Sequence, residues 1–230
     1  MTTEPTGFLY PFIDADERDT GTLLADLAAS AAAKMAESKN LRALTLAQCA
    51  ATLRTAGEAM AHRFEQGGRL YTFGNGGSAT DAEGTAELFR NPPRGRSLPA
   101  MSLVEDRAVL TALANDVGFD LVFSRQIIAH ARPGDIAIGF STSGDSVNVM
   151  RALDEATRRG LLTIGLAGYE GGAMAGSDAI DHCLVVRADS VHRIQEAQDA
   201  LVLELWSVVQ ACVLPPCVQQ PSVQERGVRS

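Results

Sequence analysis

Apolar residues recur at spacings of three and four through residues 22–65, at Leu23, Leu24, Leu27 and Ala31 and again at Leu44, Leu46, Cys49, Leu53, Ala56 and Met60. That period predicts helix, because it gathers the apolar side chains on one face. The polar run Ser38-Lys39-Asn40 predicts a break between two helices. Their alanine-rich surfaces suit close packing against other helices, including those of a second subunit. Gly67-Gly68 supplies the stop. Beyond it the pattern changes. Short apolar runs at 69–73, 99–103, 135–140, 162–166 and 183–186 predict strands, and helical stretches at 80–90, 107–113, 120–130, 147–158, 173–175 and 191–212 separate them. Strands that alternate with crossover helices form a parallel sheet, so the fold class is α/β with additional N-terminal helices.

The chain of 230 residues is long enough for one large α/β domain. Residues 1–19 mix Pro, Gly, aromatic and acidic residues without a period and read as an arm, 20–213 as a single domain, and the polar 214–230 after Pro215-Pro216 as a flexible tail. A net charge of −8 argues against general nucleic-acid affinity, which needs clustered Lys and Arg to displace counterions. The densest basic stretch, Arg90, Arg94 and Arg96 around Pro92-Pro93, reads as a solvated loop. Cys49, Cys183, Cys212 and Cys217 form no C-x-x-C pair and no zinc spacing, so they read as reduced thiols. No basic-then-apolar leader and no membrane-length apolar run are present, which makes the cytoplasm the expected location.

Two loops carry candidate chemistry, and both follow a strand and open a helix at the expected carboxyl edge of the sheet. Gly74-Asn75-Gly76-Gly77-Ser78 lets the backbone approach a ligand and offers Asn75 and Ser78 as hydrogen-bonding groups, although a tight turn alone also requires glycine. The stronger signal is Ser141-Thr142-Ser143-Gly144-Asp145-Ser146. It presents four hydroxyls at the amino end of a helix, where free N–H groups and the helix dipole favour phosphate. A helix cap would account for Ser146 but not for the others. No lysine follows as in a P-loop, which disfavours a nucleoside triphosphate.

Taken together with Ala114-Asn115-Asp116, Ser124-Arg125-Gln126, Gly171-Gly172 and Arg193-Ile194-Gln195-Glu196, these loops resemble the phosphoheptose isomerases of the SIS (sugar isomerase) superfamily, collinearly over about residues 22–212. The resemblance implies a three-layer sandwich, a five-stranded parallel sheet flanked by helices. It also implies a homotetramer with sites at subunit boundaries. By the same resemblance Ser141, Thr142, Ser143 and Ser146 would bind the phosphate of a sedoheptulose 7-phosphate-like sugar, and Asn75, Ser78, Asp116 and Gln195 would face the sugar.

The catalytic residues depart from that pattern. Family members use a Glu and a His, and zinc-binding members hold the metal with His, Glu, Gln and His. Aligned without a gap, three of those four positions are Gly84, Leu88 and Leu203, and Gln195 alone is kept. Glycine and leucine neither bind zinc nor move a proton, so no cofactor is expected. Glu87, reached by a one-residue shift, and His192 are the substitute acid/base candidates. Three activities stay open at this point: a phosphosugar-binding protein with lost or altered isomerase chemistry, an active ketose–aldose phosphate isomerase using substitute groups, and a tetrameric interaction protein resembling the replication-initiator-associating relatives, with a protein partner.

Overall fold

The computed structural model describes residues 20–213; the 1–19 arm and the 214–230 tail lie outside the described residues. The chain falls into two units, one up to Leu41 and one from Arg42 onward. Helix α1 runs unbroken over Thr20–Glu65, so the break expected at Ser38-Lys39-Asn40 does not occur. None of those three residues is Gly or Pro; each lowers helix propensity by a fraction of a kcal/mol without removing a backbone donor. The first unit is helical through its described part, and its Leu24, Leu27 and Met35 are exposed.

In the second unit, α1 ends where Gly67 takes φ +85° and the Gly68 N–H returns to the Arg63 carbonyl at 2.9 Å. Gly is the residue that enters this left-handed conformation without a Cβ penalty. Five strands follow, β1 Leu70–Gly74, β2 Ala100–Ser102, β3 Ile136–Ser141, β4 Leu162–Gly168 and β5 His182–Val186, all parallel in the order β2-β1-β3-β4-β5. The three central strands are buried at every position. That is why their sequences read as unbroken apolar runs rather than alternating ones.

The connecting helices are α2 Gly77–Arg90, α3 Arg107–Asp116, α4 Val122–His130 after a 3₁₀ turn at Phe119–Leu121, α5 Val147–Arg158, the short α6 Gly172–Ala175 and α7 Val191–Val213. Phe73 and Phe123 meet at 5.4 Å between ring centroids in a core that also holds Ile127, Val149 and Leu153. A Cβ at Gly139 would lie 2.9 Å from Val149 Cγ1 and 3.0 Å from Leu153 Cδ1, so glycine lets α5 lie directly on β3. This close approach fixes the amino end of α5 over the carboxyl end of β3. The strand order reverses between β1 and β3, and the crevice at such a reversal is where open α/β sheets bind ligands. Both candidate loops border it. No helix is long and apolar enough to cross a membrane among the described residues.

Candidate functional site

Ser141 closes β3, and the chain then turns through a loop whose hydroxyls point at one another. Ser141 Oγ lies 2.9 Å from Ser146 Oγ and 3.4 Å from Ser143 Oγ, and it accepts the Gly144 N–H at 3.1 Å. Ser143 Oγ accepts the Asp145 N–H at 3.1 Å. Ser146 occupies the N-cap position of α5 with extended backbone, yet its side chain makes no cap hydrogen bond. The ordinary cap explanation of that serine therefore fails. The Thr142 hydroxyl has no hydrogen bond among the described residues. Three clustered hydroxyls, one hydroxyl without a partner and a helix amino terminus thus gather in one place, a combination chemically suited to an anion.

The 141–146 loop is braced from behind by the turn after β4. Met174 N–H donates to the Gly144 carbonyl at 3.0 Å, and Ala173 N–H donates to Asp145 Oδ1 at 2.7 Å. Gly144 has φ +75°, and a Cβ there would collide with the Gly171 carbonyl. A Cβ at Gly168 would lie 2.5 Å from the Thr142 carbonyl oxygen. Glycine is thus needed on both sides of this contact because two backbones touch.

At the first loop, Gly74 ends β1 with its missing Cβ filled by Ser78 O at 2.6 Å, and Ser78 is buried. Asn75 reaches across the crevice to the buried Asn148 of α5. Each carboxamide donates to the other, at 2.8 Å and 2.9 Å. Gln195, on α7, packs against the bare backbone of Gly77 and donates from Nε2 to Asp81 Oδ2 at 3.1 Å. Burial pushes the Asp81 carboxyl up to about 6; the Gln195 hydrogen bond opposes this, and the Asp199 charge adds to it. A carboxyl group at that value exchanges protons near neutral pH.

The remaining sequence candidates stand apart from these contacts. Asp116 is exposed at the end of α3 and accepts a hydrogen bond from Asn115 at 2.9 Å. Glu87 is exposed, accepts from Asn91 Nδ2 at 2.8 Å and pairs with Arg90 at 2.8 Å. The Asn91 hydrogen bond, then Arg90, hold its carboxyl below the usual range. His192 is exposed in the first turn of α7. Arg94 and Arg96 lie in an exposed loop after α2, as their composition suggested, and the arginines make contacts besides. Arg90 also pairs with Glu105 at 2.9 Å, Arg94 lies 5.8 Å from the Trp206 ring centroid, and the Gln210 carboxamide clasps the Arg96 backbone at 2.8 and 2.9 Å.

The residues present do not fit a zinc ion. Open space surrounds the Cα of Gly84, along a groove of about 450 Å³ lined by Thr80, Glu83, Glu87, Arg90 and Glu105. Leu88 and Leu203 offer no donor atom, and Gln195 is engaged by Asp81. Sequence reasoning missed Asp81 and Asn148. An aspartate in the first turns of a helix and an asparagine beside an N-cap are both commonplace, and only the packing of α7 and of the first loop gives them partners.

The SIS domain profile matches residues 35–168. The chain is 51% identical over 130 residues to a phosphoheptose isomerase of Nitratiruptor sp., covering 56% of this chain and 68% of that one. It is 39% identical over 183 residues to a phosphoheptose isomerase of Paramagnetospirillum magneticum, covering 74% and 94%. Among solved structures, a phosphoheptose isomerase from Neisseria gonorrhoeae superposes with a TM-score of 0.73 at 34% identity, over 80% of this chain and 99% of that one.

Proposed function

Because the chain belongs to the phosphoheptose isomerase family of SIS-domain proteins, we propose that it binds a phosphosugar of the sedoheptulose 7-phosphate type and has altered the family's proton-transfer chemistry. The observation that carries the binding is the convergence of Ser141, Ser143 and Ser146 at the start of α5, with the Ser146 hydroxyl not spent on a cap. The phosphate takes these hydroxyls, that of Thr142 and the first free N–H groups of α5. Asn75, Ser78 and Gln195 face the sugar, and the family resemblance adds Asp116 at the exposed end of α3. The change in chemistry is supported by Gly84, Leu88 and Leu203, which carry no acid, base or metal donor.

One observation favours the second reading, an active isomerase with substitute groups. Asp81 is half-buried against Gln195 with its carboxyl raised to about 6. Glu87 is poorly suited to that role, since Asn91 and Arg90 hold it ionised and outward. Assembly as a homotetramer is supported by an open groove of about 770 Å³ between α1 and α7 that includes Leu46, Leu53 and Val208, with the exposed Leu44 and Leu203 on the same two helices. The free thiols of Cys49, Cys183 and Cys212 suit a reducing cytoplasm.

The test combines binding and turnover. Thermal-shift titration with a panel of sugar phosphates should raise the melting temperature, since a ligand that binds the native state stabilises it. The same protein incubated with sedoheptulose 7-phosphate should form no aldoheptose phosphate at the family's pace, and neither added zinc nor a chelator should change this. Absence of any thermal shift refutes the binding site. Turnover that disappears in Asp81→Asn while binding persists selects the second reading.

A further inference from the structure

The reciprocal pair between Asn75 and Asn148 does more than hold a turn. Asn148 is the second residue of α5, 3% exposed, and rooted in the rigid stack of that helix on β3. Its Oδ1 accepts from Asn75 Nδ2 at 2.8 Å and from the Val149 N–H at 2.9 Å, which uses both lone pairs. Its Nδ2 donates to Asn75 Oδ1 at 2.9 Å. Asn75, half-buried in the loop that borders the crevice, is left with one N–H and one lone pair.

We infer that Asn148 is a positioning residue: it joins the phosphate-binding start of α5 to the sugar-facing loop after β1 and fixes which way the Asn75 carboxamide presents its remaining donor and acceptor to the sugar. The inference rests on the phosphosugar reading above. An unpaired Asn75 carboxamide can rotate about its terminal torsion and offer the sugar its N–H and C=O in either order, whereas the reciprocal pair allows one order. Phosphate bound at the 141–146 loop therefore meets a sugar subsite already set in register with it. Asn148 contributes to recognition of the sugar, and the phosphate contacts are independent of it.

Isothermal titration of the full chain with sedoheptulose 7-phosphate and with inorganic phosphate separates these roles. Asn148→Ala removes all three hydrogen bonds of that side chain and leaves the Asn75 carboxamide to be ordered only on binding, so the affinity for sedoheptulose 7-phosphate falls about tenfold. Its affinity for inorganic phosphate stays within about twofold of the unaltered protein, because the serine hydroxyls are intact. Asn148→Ser, too short to reach Asn75 but compatible with a helix first turn, shows the same selective loss and provides the measurement should the alanine variant not fold. The double variant Asn75→Ala with Asn148→Ala binds the sugar phosphate no more weakly than Asn75→Ala alone, since the two residues act as one unit. Equal losses for both ligands, no loss for either, or additive losses in the double variant overturn the inference while leaving the phosphosugar reading standing. No binding of sedoheptulose 7-phosphate by the unaltered protein overturns that reading and the inference with it.

Discussion

The bracing of the 141–146 loop by the turn after β4 makes a quantitative prediction through Gly144→Ala. An alanine there must adopt φ +75°, which costs about 1–2 kcal/mol for a residue with a Cβ. Its Cβ would also sit 2.5 Å from the Gly171 carbonyl carbon and 3.0 Å from Gly172 N, so the two backbones must separate by roughly an ångström. That separation breaks the bonds from Met174 N to Gly144 O and from Ala173 N to Asp145 Oδ1, at about 1 kcal/mol each. The sum is about 3–4 kcal/mol. For a chain of this size it corresponds to a fall in Tm of about 10 °C. Gly67→Ala supplies the comparison, because Gly67 has φ +85° but nothing within 4 Å of its missing Cβ. It should cost only the conformational part, about 1–2 kcal/mol and roughly 3–6 °C. Differential scanning calorimetry of the two variants reads the difference. Equal losses would refute the claim that the Gly171-Gly172 turn supports the loop.

Other consequences are simpler to state. The Asp81 carboxyl is raised from 3.8 to about 6, so its burial costs nothing below pH 4, increasingly disfavours the folded state from pH 4 to 6, and does so fully above that. Asp81→Asn should therefore stabilise the protein at pH 7.5 and much less at pH 4.5. Solvent screening reduces the gain at pH 7.5 to on the order of 1 kcal/mol from the roughly 3 kcal/mol of a dry site. Equal increments in Tm at both pH values would show that the charge is not what burial disfavours. At the crossing of α1 and α7, a Cβ on Gly57 would lie 2.5 Å from Val208 Cγ1 and 2.8 Å from Val208 Cβ. Gly57→Ala should cost about 1–3 kcal/mol by overpacking, and Val208→Ala in the same chain should recover part of it. Additive losses in urea denaturation of the pair would contradict that contact.

Much of the fold was legible because its central strands are short, mostly apolar runs and its connecting helices repeat apolar positions at three and four, patterns that do not mimic each other. Helix α5 was expected at 147–158 and occupies Val147–Arg158. The break expected in α1 failed because Ser38-Lys39-Asn40 changes polarity, and polarity does not govern backbone continuity. In the site, the hydroxyl cluster could be read from spacing alone, since four hydroxyls in six residues exceed what a cap requires. Which hydroxyls meet could not, because the contact of Ser141 with Ser146 depends on how sharply Gly144 turns the chain. Gln195 lies more than a hundred residues from Gly77 and Asp81, and no local pattern announces its contact with them. Glu87 illustrates the converse. Its type and place nominated it, and the structure adds that Asn91 and Arg90 engage its carboxylate.

The central claim is that Ser141, Ser143 and Ser146 hold the phosphate of a bound sugar. Calorimetric titration of sedoheptulose 7-phosphate into the unaltered protein and into Ser143→Ala with Ser146→Ala tests it most directly. Hydrogen bonds to a charged phosphate contribute about 1.5–3 kcal/mol each, so the paired substitution should weaken binding by about a hundredfold or more. Binding of equal strength in both proteins, or heat of binding in neither, would contradict the account.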